Sequence, residues 1–336
     1  MKIIIPMAGM GTRMRPHTLT IPKPLITLAG KTIVQWLIEG LKNVCNKPIL
    51  EISFVIGDFG KEVEDLLLNI AHNIGSEAKI YYQKQPLGTA HAVWCAENSL
   101  EDEVIIAFAD TLFFADFKLT NTADSTIWVQ KVKNPEIYGV VLTDENNKIT
   151  KFIEKPKEKI SDLAIVGIYY FKNAKILKDE LDYIIKNDIK KNGEYQLTTA
   201  LENLKNKNYL FDVANIDQWL DCGNKKLTVN THQQILSKIK ETNFTAKTAI
   251  VENSVIIEPC FIDENVKIKN SVIGPFVSVH KNSTITNSII ENTVIQSNTN
   301  ITNANIFNSM IGNNVSILLQ KTELSVGDYN EIVSTN

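Results

Sequence analysis

The sequence has no apolar run approaching the ~20 residues that a membrane-spanning helix needs, and only a short apolar opening precedes Gly9, Arg13 and Arg15. That is the wrong length and order for a secretory leader, so a cytoplasmic chain with no membrane partner is expected. Cysteine is sparse. Cys45, Cys95, Cys222 and Cys260 form no C-x-x-C pair and no regular spacing, which argues against a zinc site and against a disulfide framework. Histidine is equally thin: His17, His72, His91, His232 and His280 make no pair at helical spacing and read as packing or surface residues. A dominant charge is missing too. With 35 basic and 38 acidic side chains and a formal net charge of −3, no global field draws nucleic acid or an anionic membrane, so any phosphate binding has to be local. The third glycine of a dinucleotide fingerprint G-x-G-x-x-G is also absent, because Met14 stands in its place, and a nicotinamide-dependent dehydrogenase is set aside.

What is present begins with "PMAGMGTRMRP", residues 6–16, directly after the apolar run Ile3, Ile4, Ile5. A loop freed by Gly9 and Gly11 can turn backbone N–H groups toward an anion, while Arg13 and Arg15 supply charge. Up to about residue 243, short apolar runs alternate with amphipathic stretches. Strands are expected over 2–5, 50–56, 78–82, 104–109, 126–132 and 165–171, and helices over 32–44, 61–74 and 89–98. This order predicts an α/β class, a Rossmann-like, mostly parallel sheet flanked by helices. Ligands of such sheets collect at the carboxyl ends of the strands, where the opening loop lies.

After about Thr245 the composition shifts to Asn, Ser, Thr, Ile and Val. "NSVI" at 253–256 returns as "NSVI" at 270–273 and "NSII" at 287–290, a period of seventeen. Apolar residues recur about every sixth position within it, as at Ile256, Ile262, Ile268, then Ile273, Val279, Ile285, then Ile295, Ile301 and Ile311, Ile317. Three six-residue rungs per coil resemble the left-handed parallel β-helix of hexapeptide-repeat proteins, slightly shortened, with one side chain per rung buried by stacking. The expected organisation is a catalytic domain over 1–240, a linker over 241–247, about four coils over 248–318 and a polar tail over 319–336. A stacked coil presents flat faces suited to homo-oligomer formation.

Three further features carry chemistry. In "TIPKPL", Lys23 is bracketed by Pro22 and Pro24 and therefore sits on a stiff segment. In "VIIAFAD", a core strand leads to Asp110, well placed to hold Mg²⁺ beside a phosphate loop. In "QWLDCGN", Asp221 follows apolar residues and precedes a glycine turn.

Together with "QPLGTAHAV" at 85–93, "EKP" at 154–156, "GEYQLT" at 193–198 and "WLDCG" at 219–223, these features stand in the order found in nucleotide-sugar pyrophosphorylases. The chain resembles a sugar-1-phosphate nucleotidyltransferase over about residues 1–240, close to the glucose-1-phosphate uridylyl- and thymidylyltransferases. Its repeat is similar to the β-helix that many of these enzymes carry. The resemblance implies that Ala8, Gly9, Met10, Gly11 and Thr12 wrap a nucleoside triphosphate and that Arg13 and Lys23 neutralise it. It implies that Gln85, Gly88 and Thr89 meet the base, that Asp110 and Asp221 hold Mg²⁺, and that Gly139, Glu154, Lys155 and Gly167 line the sugar phosphate. The reaction implied is in-line attack of a hexose 1-phosphate on the α-phosphorus with release of pyrophosphate, needing no covalent nucleophile. The short opening loop favours a pyrimidine triphosphate, UTP or dTTP, with glucose 1-phosphate as the default sugar. A guanylyltransferase acting on mannose 1-phosphate and a non-catalytic subunit of the same fold remain open alternatives. The lone His280 and the few coils offer little to an appended acyltransferase.

Overall fold

The computed structural model describes residues 1–114, 124–216, 218–239, 243–320 and 326. The chain divides into two compact units, Met1–Thr231 and His232–Asn336. In the first, β1 (Lys2–Pro6) is followed by a two-rung hairpin, β2 (Thr27–Leu28) with β3 (Lys31–Thr32), then α1 (Ile33–Val44), β4 (Glu51–Ile56), α2 (Lys61–Asn73), β5 (Glu77–Tyr82) and α3 (Thr89–Trp94). The order continues with β6 (Val104–Ala107), β7 (Thr111–Phe114), β8 (Ser125–Lys131), β9 (Gly139–Thr143), β10 (Ile149–Glu154) and β11 (Leu163–Phe171). After α4 (Lys175–Lys186) and α5 (Leu197–Asn206) come β12 (Phe211–Asn215) and β13 (Gln218–Asp221).

The main sheet runs β10-β9-β11-β6-β1-β4-β5, with β8 pairing β11 and β12. The expected parallel arrangement forms one side of it: β5, β4, β1 and β6 are parallel neighbours. Beyond β6 the sheet is mixed, since β11 runs antiparallel to β6, β8 and β9. Ile3, Ile4 and Ile5 are all fully buried, so β1 is covered on both faces, as a central parallel strand must be. Helix α1 starts where the sequence places it because Thr32 and Gln35 form a reciprocal capping box. Its buried positions Ile33, Val34, Leu37, Ile38, Leu41 and Val44 follow the helical period.

The second unit contains three sheets of stacked parallel strands, of five, five and four members among the described residues, the arrangement of a left-handed parallel β-helix. Its first strand is Asn243–Thr245, in register with Cys260–Ile262. Ile262, Ile268, Ile273, Val279, Ile285, Ile290, Ile295 and Ile301 form its fully or almost fully buried core. Partners are seventeen residues apart from Val272 and Ile289 backward, and sixteen from Val277 and Thr293 onward. The shorter turn omits one corner residue: Gly274, Pro275 and Phe276 separate Ile273 from Val277, whereas Glu291 and Asn292 separate Ile290 from Thr293.

The "NS" corners now have a physical reason. Asn253, Asn270 and Asn287 take left-handed backbone angles, φ +46°, +50° and +51°, which asparagine tolerates better than most residues. Their side chains stack as well, Asn270 Nδ2 donating to Asn287 Oδ1 at 3.1 Å and Asn287 Nδ2 to Asn303 Oδ1 at 3.2 Å. Each serine accepts the backbone N–H one turn on, Ser288 N to Ser271 Oγ at 3.0 Å and Ala304 N to Ser288 Oγ at 3.1 Å. Of the expected linker, 241–242 lie outside the described residues, as do 321–325 and 327–336 of the expected tail.

Candidate active site

The carboxyl end of β1 opens into a cavity of about 360 Å³. Its wall includes Ala8, Gly9, Gly11, Thr12, Arg13, Lys23, Gly88, Thr89 and Asp110 from the residues singled out in the sequence, with Gln83, Phe108, Glu194 and Gly223 added. Gly11 holds φ +56°. A Cβ there would meet Lys23 Cβ at 3.0 Å and Thr18 Cγ2 at 3.1 Å, so a glycine is what lets the stiff lysine segment pack against the loop. Lys23 is buried and donates to Asp110 Oδ2 at 2.8 Å.

Asp110 and Asp221 come together through a second small sheet. Strand β13 runs antiparallel to β7 and pairs Asp221 with Thr111, the residue after Asp110, and Cys222 N donates to Asp110 O at 3.2 Å. Burial and the neighbouring Asp110 charge push the Asp221 carboxyl above its ordinary value. Two donors oppose this, Gly223 N at 2.6 Å from Oδ1 and Tyr138 Oη at 3.2 Å from Oδ2. The phenol of Tyr138 is pushed up to about 12 by burial and by Asp221. Cys222 is fully buried and its thiol is pushed up to about 12, chiefly by that burial, so a structural role is what its surroundings permit.

The far wall is built from two segments locked together. Tyr195 N donates to Leu87 O at 2.8 Å and Ala90 N to Tyr195 O at 2.9 Å, while Leu197 N donates to Thr89 Oγ1 at 2.9 Å. Gly88, at φ +115°, lies so close that a Cβ would stand 2.4 Å from Tyr195 O. "QPLGTA" and "GEYQLT" are therefore one structural element made from distant sequence.

Two expected residues are placed elsewhere. Met10 is 66 % exposed and does not border the cavity. Gln85 is exposed and sits in a turn where its carbonyl accepts from Leu87 N. The glutamine at the cavity is Gln83, two residues earlier, whose Nε2 donates to Gly88 O at 3.1 Å. The residues expected to hold the sugar phosphate group separately, outside the cavity lining. Glu154 pairs with Gly139 across β10 and β9 and accepts from Thr198 Oγ1 at 2.9 Å. Lys155 has a left-handed backbone, φ +42°, and donates its N–H to Tyr138 O at 3.1 Å. Gly167 O accepts from Phe108 N at 3.0 Å, linking that strand to the cavity wall. Gln83 and Glu194 at the cavity, and Tyr138 and Thr198 at the contacts beside it, were not singled out in the sequence. Glu194 and Thr198 lie inside the 193–198 motif, whereas Gln83 and Tyr138 lie in none of the quoted motifs.

A glycine loop and a held lysine lie at the ends of parallel strands, and the antiparallel pair β13–β7 brings Asp221 beside Asp110, an arrangement suited to phosphoryl chemistry. The family model described as "Nucleotidyl transferase" matches residues 2–238, and the chain belongs to that family. A second model, "GlmU-like, C-terminal hexapeptide", matches residues 228–304. Among curated proteins, the chain is 28 % identical over 319 residues to the low-salt glycan biosynthesis nucleotidyltransferase Agl11 of Haloferax volcanii, covering 88 % of this chain and 87 % of that protein. It is 28 % identical over 322 residues to a glucose-1-phosphate thymidylyltransferase of Streptomyces antibioticus, with the same coverage of both. It is 32 % identical over 264 residues to the bifunctional protein GlmU of Methanococcus maripaludis, spanning 77 % of this chain but 60 % of that protein. The fold is also that of a UDP-glucose pyrophosphorylase crystallised with UDP-glucose, at a TM-score of 0.59, 22 % identity, 70 % of this chain and 98 % of the other. No helix among the described residues is long and apolar enough to cross a membrane.

Proposed function

We propose that this chain transfers a nucleotidyl group from a pyrimidine nucleoside triphosphate, UTP or dTTP, to a hexose 1-phosphate, glucose 1-phosphate by preference, releasing pyrophosphate. The observation that carries this reading is the cavity wall at the strand ends, where Arg13 and the Lys23–Asp110 pair lie together with Asp221 beside Asp110. Both reactants are polyanions. Their mutual repulsion and the charge on the transferring group are the barriers that fixed cations lower.

In this reading the loop from Ala8 to Thr12 and Arg13 receive the triphosphate, and Lys23 stands ready to exchange Asp110 for a phosphate oxygen. The base-reading amide is Gln83 in place of Gln85. An amide presents a donor and an acceptor side by side, the complement of the N3–H and O4 edge of uracil or thymine. Glu154 accepts from sugar hydroxyls and Lys155 binds the sugar phosphate, with Gly139 and Gly167 leaving room. Asp110 and Asp221 fit Mg²⁺, because a carboxylate in the turn before β7 and one at the end of β13 already repel each other and this ion commonly takes one or two carboxylates plus substrate phosphates. When bound, it would supply charge neutralisation at the transferring phosphoryl group. The coil is read as an assembly element, supported by the exposed apolar side chains of Val255, Ile289 and Phe307.

The test is pyrophosphate release with Mg²⁺ across UTP, dTTP, GTP, CTP and ATP against glucose, mannose, galactose and N-acetylglucosamine 1-phosphates. Release confined to pyrimidine triphosphates with glucose 1-phosphate is expected. A preference for GTP with mannose 1-phosphate would move the assignment to the guanylyl branch, and silence across the grid from folded protein would overturn the catalytic reading.

A further inference from the structure

Tyr138 occupies a junction that no motif marks. Its hydroxyl donates to Asp221 Oδ2 at 3.2 Å, its carbonyl accepts the N–H of Lys155 at 3.1 Å, and its ring packs 4.8 Å from that of Trp219. One residue thus touches both the carboxylate read as a cation ligand and the backbone of the residue read as the sugar-phosphate contact. We propose that Tyr138 is a positioning residue that fixes the orientation of Asp221 and couples it to the segment carrying Lys155.

A carboxylate offers about four acceptor sites. Gly223 N–H takes one on Oδ1 at 2.6 Å and Tyr138 O–H takes one on Oδ2. Held from both oxygens, the group cannot rotate about its terminal bond, and each oxygen keeps a lone pair for a cation. Gly223 alone would leave the carboxylate, whose two oxygens move together, free to pivot about that one hydrogen bond. Outer contacts of this kind commonly set ligand affinity by 10- to 100-fold. The Trp219 packing explains why the phenol reaches the carboxylate in a defined direction, since a ring wedged against an indole has little freedom of its own.

This inference rests on the nucleotidyl-transfer reading, and its test separates the two. Mn²⁺ binding by electron paramagnetic resonance is followed in wild type, Asp221→Asn, Tyr138→Phe and Trp219→Phe, alongside pyrophosphate release and thermal melting. Tyr138→Phe keeps the ring and removes only the oxygen. It is expected to weaken Mn²⁺ about tenfold, to lower kcat more than it raises the KM for the sugar phosphate, and to melt like wild type. Trp219→Phe keeps an aromatic ring against the phenol and leaves the Tyr138 hydroxyl in place, so its Mn²⁺ affinity is expected to stay near that of wild type. Wild-type Mn²⁺ affinity in Tyr138→Phe, with binding lost in Asp221→Asn, overturns the positioning role and leaves the wider reading standing. Equal weakening in both aromatic variants overturns it too, because packing and not the hydroxyl would then be the cause. Mn²⁺ binding that ignores Asp221→Asn overturns the ligand assignment and the inference together.

Discussion

In the α/β unit nearly every contact of interest is made once. Lys23 has Asp110, Asp221 has Gly223 and Tyr138, and Gly88 has Tyr195. In the coil unit contacts are made again one turn later: Ile268 stacks on Ile285 and Ile285 on Ile301, and each ladder asparagine meets the next. The two parts consequently divide function and stability differently. A unit built from single contacts can be disabled chemically by one side chain while remaining folded. A unit built from repeated contacts shares its load, so one side chain affects stability by a measurable fraction.

The contrast is sharpest in a pair of variants. Asp221→Asn preserves shape and removes a charge that burial and Asp110 already oppose. Turnover is expected to fall by about 10³-fold, in line with the several kcal/mol that cation-assisted stabilisation contributes, with melting unchanged or slightly raised. Ile285→Ala empties the coil core at a fully buried position, and a loss of about 2–5 kcal/mol is expected for the coil transition, with turnover at 25 °C retained. A coil variant that silenced turnover while remaining folded would break the division.

A smaller effect concerns acid. His232 is fully buried, with Nε2 2.6 Å from Ser278 Oγ, and burial followed by the nearby His280 holds its imidazole down to about 3 from 6.5. The unfolded chain therefore binds an extra proton between these values. The stability that comes from a neutral His232 is complete above about pH 6.5 and lost progressively as pH falls toward 3, with a slope of up to ~1.4 kcal/mol per pH unit. Asp263 faces His280 and its carboxyl is held below its ordinary value, with burial opposing and His280 lowering it. It contributes in the same direction. Urea unfolding of the coil transition from pH 7 to pH 4 should show a shallower slope in His232→Gln, and identical slopes would remove His232 as the source.

The smallest effect tests the ladder. Asn287→Ala loses both amide bonds and puts alanine at φ +51°, at an expected cost of about 1–2 kcal/mol. Asn287→Gly keeps the backbone angle and should cost less. Equal losses would show that the amide ladder, and not the backbone, sets the need for asparagine at this corner.

The same contrast governs what could be read from the residues beforehand. The coil was legible because its rule is local and repeats: the asparagine–serine corner and the sixth-residue Ile or Val recur until chance is excluded. The strand Asn243–Thr245 was not anticipated, as it carries no such corner and is defined by its pairing with Cys260–Ile262. In the α/β unit, Lys23 and Asp110 were legible because proline stiffening and a strand end are local signals. Gln83 was not, since Gln83 and Gln85 differ only in which of them the turn at Leu87 sends to the cavity. Tyr138 and Asp221 are 83 residues apart, and antiparallel strands β9, β10 and β13, defined by their pairing with other segments, bring that part of the site together.

The corner between Ile290 and Thr293 has a consequence for how such a coil changes length. Inside a strand, gaining or losing one residue turns every following side chain to the opposite face. At this corner a residue is dropped and the alternation on either side survives, with Ile290 and Ile295 both still in the core. Corners of this type are therefore where insertions and deletions can enter a coil one at a time, whereas a single-residue change within a rung reverses its facing.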